Sequence, residues 1–253
     1  MRQNSGSHVD VRSWNAGLGF AKAVANNSGK LLFGPIAQYG RGNYDSYLNN
    51  GTQGSGKSSF YGLGGMIKQE NNNGVYCEGS VMLGRLKNDY NGKFGTGMNY
   101  DDSANFYAMH AGIGKVQELK KDVTLDYYGK LFFTHQNGNS VKLGSGHIYD
   151  FDDVNSIRSR VGVRFAHQLS EGREFYAGMA WQHEFDSKVQ ATIHAGMLSL
   201  SAPAPSVKGE TGIFELGWKE KPVNSNLETN VGVIGSIGKQ RGVGFNVQLN
   251  WKF

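Results

Sequence analysis

Only one cysteine, Cys77, occurs in the 253 residues. A single thiol closes no disulfide within the chain and supplies no cysteine cluster for a metal. Proline is nearly as scarce, at 4 residues, so little interrupts long hydrogen-bonded strands. No apolar run approaches the ~18 residues that a membrane-crossing helix needs, which excludes a helical membrane protein. It leaves open a barrel, whose strands turn half of their residues to a polar interior. Net charge is only +5, and the basic residues are spread along the chain rather than gathered on the single face that a nucleic-acid binder needs. Glycine, by contrast, is abundant at 37 residues, and aromatics make up 12%. Many glycines and aromatics with few prolines suit long, curved, paired strands.

The clearest pattern is at the C-terminus. From Val243 on, the odd positions are Val243, Phe245, Val247, Leu249, Trp251 and Phe253, and the even ones are Gly244, Asn246, Gln248, Asn250 and Lys252. A period of two over this length predicts a strand with one apolar and one polar face. Ten more strands are predicted upstream, near Val11–Ala23, Leu31–Tyr39, Ser58–Lys68, Val75–Lys87, Asn105–Val116, Val123–Gln136, Val154–His167, Glu174–Phe185, Thr211–Lys219 and Leu227–Ile237. In Val123–Gln136, for example, Val123, Leu125, Tyr127, Leu131 and Phe133 oppose Thr124, Asp126, Tyr128, Lys130 and Thr134. No segment reads as an amphipathic helix with convincing caps.

Connections alternate in length. Residues 24–30, 69–74, 117–122, 168–173 and 220–226 are short; residues 40–57, 88–104, 137–153 and 186–210 are long; residues 238–242 are a short exception on the long side. Turns at one end and loops at the other are the plan of a transmembrane antiparallel barrel. The whole of residues 1–253 is expected to be one such domain. Eleven is nevertheless an awkward count, because a closed antiparallel barrel needs an even number. The shortfall is expected at the N-terminus, with residues 1–8 a loop or disordered remnant and one strand missing before them. The edges of Val11–Ala23 and Gly242–Phe253 would then not pair normally with each other.

The closing strand resembles the C-terminal strand of bacterial outer-membrane barrels. The stretches Gly34–Tyr44, Val75–Arg85, Leu125–His135, Phe151–Arg158 and Thr211–Gly217 resemble, in order and spacing, the translocator (β) domains of autotransporters over nearly the whole chain. That resemblance implies a barrel of about twelve strands in the bacterial outer membrane, which anchors a passenger domain encoded upstream and assists its export, with a linker helix running through the pore. It implies no catalytic residue, no cofactor and no metal. The implied partners are outer-membrane lipid, the barrel-assembly machinery, and the chain's own passenger or linker. The stripe Phe245, Val247, Leu249, Trp251 and Phe253 would be the signal that the machinery reads. The segment Met1-Arg2-Gln3-Asn4-Ser5-Gly6 lacks the apolar core of a signal peptide, so an exported protein of this kind is expected to be a piece of a longer chain. A small porin or adhesin-type barrel is the alternative reading.

Charged residues carry the remaining signal. Arg158, Arg160 and Arg164 share one face of a strand; facing lipid at the midplane, each would cost roughly 2–4 kcal/mol. They are expected in the lumen, as are Lys130, Glu78, Asp126, Glu184, Glu215 and Glu228 by the same alternation. There they would contact a translocating segment, pair among themselves, or both. The Asp101-Asp102 and Asp152-Asp153 pairs raise an omptin-like outer-membrane protease, but no Asp-His dipeptide accompanies them, and Asp pairs are ordinary turn residues. His110, His135, His183 and His194 show no metal-ligand spacing.

Overall fold

The computed structural model describes residues 2–3, 8–47, 51, 53–92, 99–143, 146–187, 190–195, 198–203 and 206–252. These form β1 (Arg2–Gln3), β2 (His8–Gly19), β3 (Lys22–Asn26), β4 (Gly29–Tyr47), β5 (Gln53–Asn71), β6 (Val75–Gly92), β7 (Asn99–Lys120), β8 (Val123–Gln136), β9 (Asn139–Lys142), β10 (Ile148–Phe151), β11 (Val154–Ser170), β12 (Arg173–Asp186), β13 (Gln190–Ala195), β14 (Leu198–Pro203), β15 (Gly209–Glu220), β16 (Leu227–Gly238) and β17 (Gln240–Trp251). One antiparallel sheet runs β2-β1-β17-β16-β15-β12-β11-β8-β7-β6-β5-β4-β3, with β2 also paired to β4. Strands β2 and β3 are two halves of one path along β4, so the sheet has eleven long strands.

The break between β2 and β3 has a local cause. The Phe20 N–H donates to the Pro35 carbonyl at 3.1 Å. Pro35 has no N–H with which to return the bond. The Phe20 carbonyl instead comes down on Gly34, where a Cβ would lie 1.7 Å from that oxygen. The continuous strand expected over Val11–Ala23 is therefore interrupted at Phe20–Ala21.

The curl of the sheet is visible in its side-chain contacts. On one face, hydrogen bonds skip a strand: Tyr76 on β6 reaches Asp126 on β8, and Arg164 on β11 reaches Glu215 on β15. Neighbouring strands are about 4.8 Å apart, so such bonds form where side chains converge, on the concave side. The opposite, convex face carries Leu63, Leu83, Met109, Leu131, Phe165, Trp181, Phe214, Leu216 and Phe245, all exposed, with Phe245 at 82%. A soluble chain does not leave a contiguous face of this kind open. Facing lipid, the same face is buried in hydrocarbon.

Strand ends divide into two rims. At one, tight turns join β3 to β4, β5 to β6, β7 to β8 and β11 to β12; Gly74 and Gly172 there take φ of +82° and +74°, which favour glycine. At the other rim, residues 40–57 and 88–104, expected as long loops, are mostly strand, because β4 to β7 run well past the apolar band. Residues 137–153 and 186–210 build a second sheet beyond the barrel, in the order β14-β13-β10-β9. There His194 Nε2 lies 2.9 Å from Asp150 Oδ2, and Asp150 also accepts from the Ser140 hydroxyl. Asn139 Nδ2 donates to Asp102 Oδ1 at 2.6 Å, tying this sheet to β7.

The seam is only partly closed. Arg2 pairs with Asp10 of β2 and Arg241 of β17, and Gln3 with Gln240, all antiparallel. The loop or remnant expected over residues 1–8 is thus corrected at both ends: Arg2–Gln3 is strand and His8 opens β2. By direction, β1 occupies a twelfth position, which restores the even count at the loop rim. Among the described residues, β2 from Arg12 and β17 from Gly242 carry no ladder pairing across the seam.

Candidate functional site

The concave wall brings the polar halves of the alternating strands together. Three ionic ties dominate it. Arg164 grips Glu215 with both ends of its fork, Nε to Oε1 at 2.6 Å and Nη2 to Oε2 at 2.8 Å. Lys130 Nζ lies 2.5 Å from Glu78 Oε1. Arg158 Nε stands 3.6 Å from Glu184 Oε2, whose carboxylate also accepts from the Ser156 hydroxyl and the Ile157 N–H. Arg160 donates to the neutral Gln182 side chain at 2.7 and 3.1 Å and, among the described residues, forms no ion pair with a carboxylate. Asp126 accepts from the Tyr76 hydroxyl at 3.0 Å. Glu228 accepts from Asn250 Nδ2 at 3.1 Å.

The longest ties share a device that sequence alone did not disclose. Glu78, Gly112 and Lys130 lie in one cross-strand row, as do Arg164, Gly178 and Glu215. The middle residue is glycine each time, and the charged pair closes over it. A Cβ on Gly178 would sit 2.4 Å from Glu215 Oε1. Two tyrosines do the same: Tyr76 lies over Gly114 and Tyr176 over Gly217, with its hydroxyl donating to Asn230 at 2.9 Å. An aromatic ring covering a cross-strand glycine fills the gap that glycine leaves and pins the register. Each tie therefore staples three strands. The signal was present in the sequence as glycines at polar-face positions, but the side chains that close over them are tied to partners 50 to 54 residues away in the chain and are set only by register.

At the loop-end mouth an aromatic run continues the wall outward. Tyr44, Tyr90, Tyr100 and Phe151 stand at successive centroid separations of 6.5, 5.2 and 5.4 Å. Burial pushes the hydroxyl of Tyr149, on the outer sheet, above the ordinary phenol range. The acidic pairs serve structural contacts: Asp102 is held by Asn139, and Asp153 Oδ1 accepts from the Gly138 N–H at 2.6 Å. Of the C-terminal stripe, Phe245, Val247, Leu249 and Trp251 lie exposed on the convex face of β17; Phe253 lies outside the described residues.

A curled antiparallel sheet with an apolar convex face, a stapled polar concave face, turns at one rim and loops at the other defines an outer-membrane β-barrel wall. Residues 2–218 match the autotransporter β-domain family. The chain belongs to that family: it is an outer-membrane translocator domain with a linked passenger. Its fold is similar to that of the transport unit of the autotransporter AIDA-I from Escherichia coli (14% identity, all of this chain and 87% of that one, TM-score 0.74). It is also similar to the β domain of the Bordetella autotransporter BrkA (16%, 100% and 95%, 0.75) and to the translocator domain of NalP from Neisseria meningitidis (15%, 100% and 84%, 0.74). No curated protein matches the chain in sequence.

Proposed function

We propose that the concave wall is the surface along which the segment joining this domain to its passenger passes and is held, and that the domain does this without bond chemistry. The observation that supports it best is the segregation of charge on one curved sheet. The three ion pairs Arg164–Glu215, Lys130–Glu78 and Arg158–Glu184 all lie on the concave side, and the Arg160 guanidinium there donates to a neutral amide. A passing backbone or carboxylate meets donors already held in place by the strand staples. The stripe Phe245, Val247, Leu249, Trp251 and Phe253 is proposed as the feature read by the barrel-assembly machinery. Strand addition along β17 would supply the main-chain bonds, and alternate side chains the specificity.

Cysteine crosslinking in the full-length protein tests the first proposal. With Cys77 replaced by Ser, a cysteine at Gln182 on the concave face or at Val161 on the convex face is paired with a scan of the upstream segment during export. Crosslinks are expected at position 182 and not at 161. Displayed passenger with no crosslink at any concave position, or crosslinks at 161, would overturn it.

A further inference from the structure

We propose that the convex face of β2, β4, β5 and β6 at the loop rim binds a phosphate-bearing lipid headgroup of the outer leaflet. The argument is one of position and sign. Along each strand the outward residues recur every second position, about 6.7 Å apart. Going outward, β2 presents Leu18, Ala16, Trp14 and then Arg12. Strand β4 presents Ala37, Tyr39 and then Arg41; β5 presents Leu63, Tyr61, Ser59 and Lys57; β6 presents Val81, Leu83, Arg85 and Lys87. On all four neighbouring strands the first charge beyond the apolar band is a cation. Aromatic rings such as Trp14, Tyr39 and Tyr61 mark the depth at which hydrocarbon gives way to headgroups.

The facing wall differs. Its first outward polar residues at the same rim are His135 on β8, Asn155 on β11, His183 on β12 and Glu210 on β15. The cationic arc is thus a feature of one side and not a uniform girdle. Register brings its members within reach of one ligand. Arg41 and Lys87 flank Ser59 in a single cross-strand row, and Arg85 lies one step below Lys87. Two strand spacings separate Arg41 from Lys87, about 10 Å between backbones, which their long side chains can close around one phosphate, with the short Ser59 between them. All five cations are exposed. Among the described residues, none of the ion pairs involves Arg12, Arg41, Lys57, Arg85 or Lys87; Arg85 only donates to the Ser103 hydroxyl at 2.6 Å. The carboxylates of this face, Asp10, Asp45, Asp89 and Asp101, lie farther out than the cation of their strand or, on β7, beyond Asn105 and Ser103. An anionic headgroup at the aromatic depth therefore meets positive charge first.

The inference rests on the outer-membrane location and not on the export reading. The test is binding of bis-phosphorylated lipid A to the detergent-folded full-length protein by native mass spectrometry, against dephosphorylated lipid A as the comparison ligand. Native protein is expected to prefer the phosphorylated lipid. Arg41→Gln/Arg85→Gln/Lys87→Gln is expected to weaken its binding on the order of 100-fold, about fivefold per cation removed. Arg41→Lys/Arg85→Lys, which keeps the charge, should keep the preference, and so should His135→Gln/His183→Gln on the facing wall. Heat-modifiable migration verifies that each variant is folded. Equal binding of the two lipids, an undiminished preference in the triple variant, or full displacement by millimolar inorganic phosphate would overturn the assignment. The readout is lipid retention, so a negative result leaves the export reading untouched.

Discussion

Removing Arg164 should destabilise the barrel more than removing its partner Glu215. The pair forms two short charge-assisted bonds over Gly178, and the Arg164 guanidinium also sits 4.7 Å from the centre of the Tyr176 ring. The two side chains are unequally shielded: Arg164 is 40% exposed and Glu215 16%. Arg164→Ala therefore strands the better-buried charge and loses the ring contact as well. Two charge-assisted bonds are worth about 1.5–3 kcal/mol each in a dry site, and an exposed ion pair is worth under ~1 kcal/mol. A wall wetted on one side lies between, which gives about 2–3 kcal/mol for Arg164→Ala and about 1–2 kcal/mol for Glu215→Ala. The double variant should cost less than the sum of the two, by a coupling of about 1–2 kcal/mol. Urea unfolding of the protein inserted in lipid vesicles, followed by tryptophan fluorescence, measures all three. Coupling below about 0.5 kcal/mol, or a larger cost for Glu215→Ala, would show that the staple is a solvated surface pair.

Gly217→Ala should destabilise by about 1–3 kcal/mol through overpacking, because its Cβ would meet the Tyr176 ring at 2.1 Å; adding Tyr176→Ala should recover part of the loss, and failure to recover would point to backbone strain instead. Leu216→Arg on the convex face should cost about 2–4 kcal/mol in vesicles if it lies near the midplane. Ser80→Arg on the concave face should cost far less, and equal costs would undo the assignment of faces. Trp251→Ser, or deletion of Phe253, in the full-length protein should reduce outer-membrane insertion far more than synthesis, read by heat-modifiable migration and passenger display. Normal insertion of both would make the terminal stripe ordinary strand packing.

Much of the architecture was legible because period-two alternation is a local property. The faces of β6, β8, β11 and β12 follow from residue parity, and parity also assigned Arg164 and Glu215 to one side of the wall. Loop lengths were less legible. Residues 40–57 and 88–104 look like loops because Gly, Asn and Ser dominate them, yet ladder hydrogen bonds to neighbours carry β4 to β7 through that composition. The break at Phe20–Ala21 was also hidden, because its cause, Pro35, lies on the neighbouring strand. Arg2–Gln3 carries no strand pattern in two residues, and its pairing depends on β2 and β17 standing on either side.

By itself, then, the chain determined that it would form an all-β wall with one face for lipid and one for water, since a strand's two faces are written in alternate residues. The tertiary structure alone decided which polar residues meet. Glu78 finds Lys130, and Arg164 finds Glu215, because curvature and register place a glycine between them and close the distance across three strands. It also decided that Arg41, Arg85 and Lys87 form one arc. Arg41 lies more than forty residues before Arg85 and Lys87 in the chain, and only the pairing of β4 to β5 and β5 to β6 sets it level with Lys87 and one step from Arg85, where their charges act together.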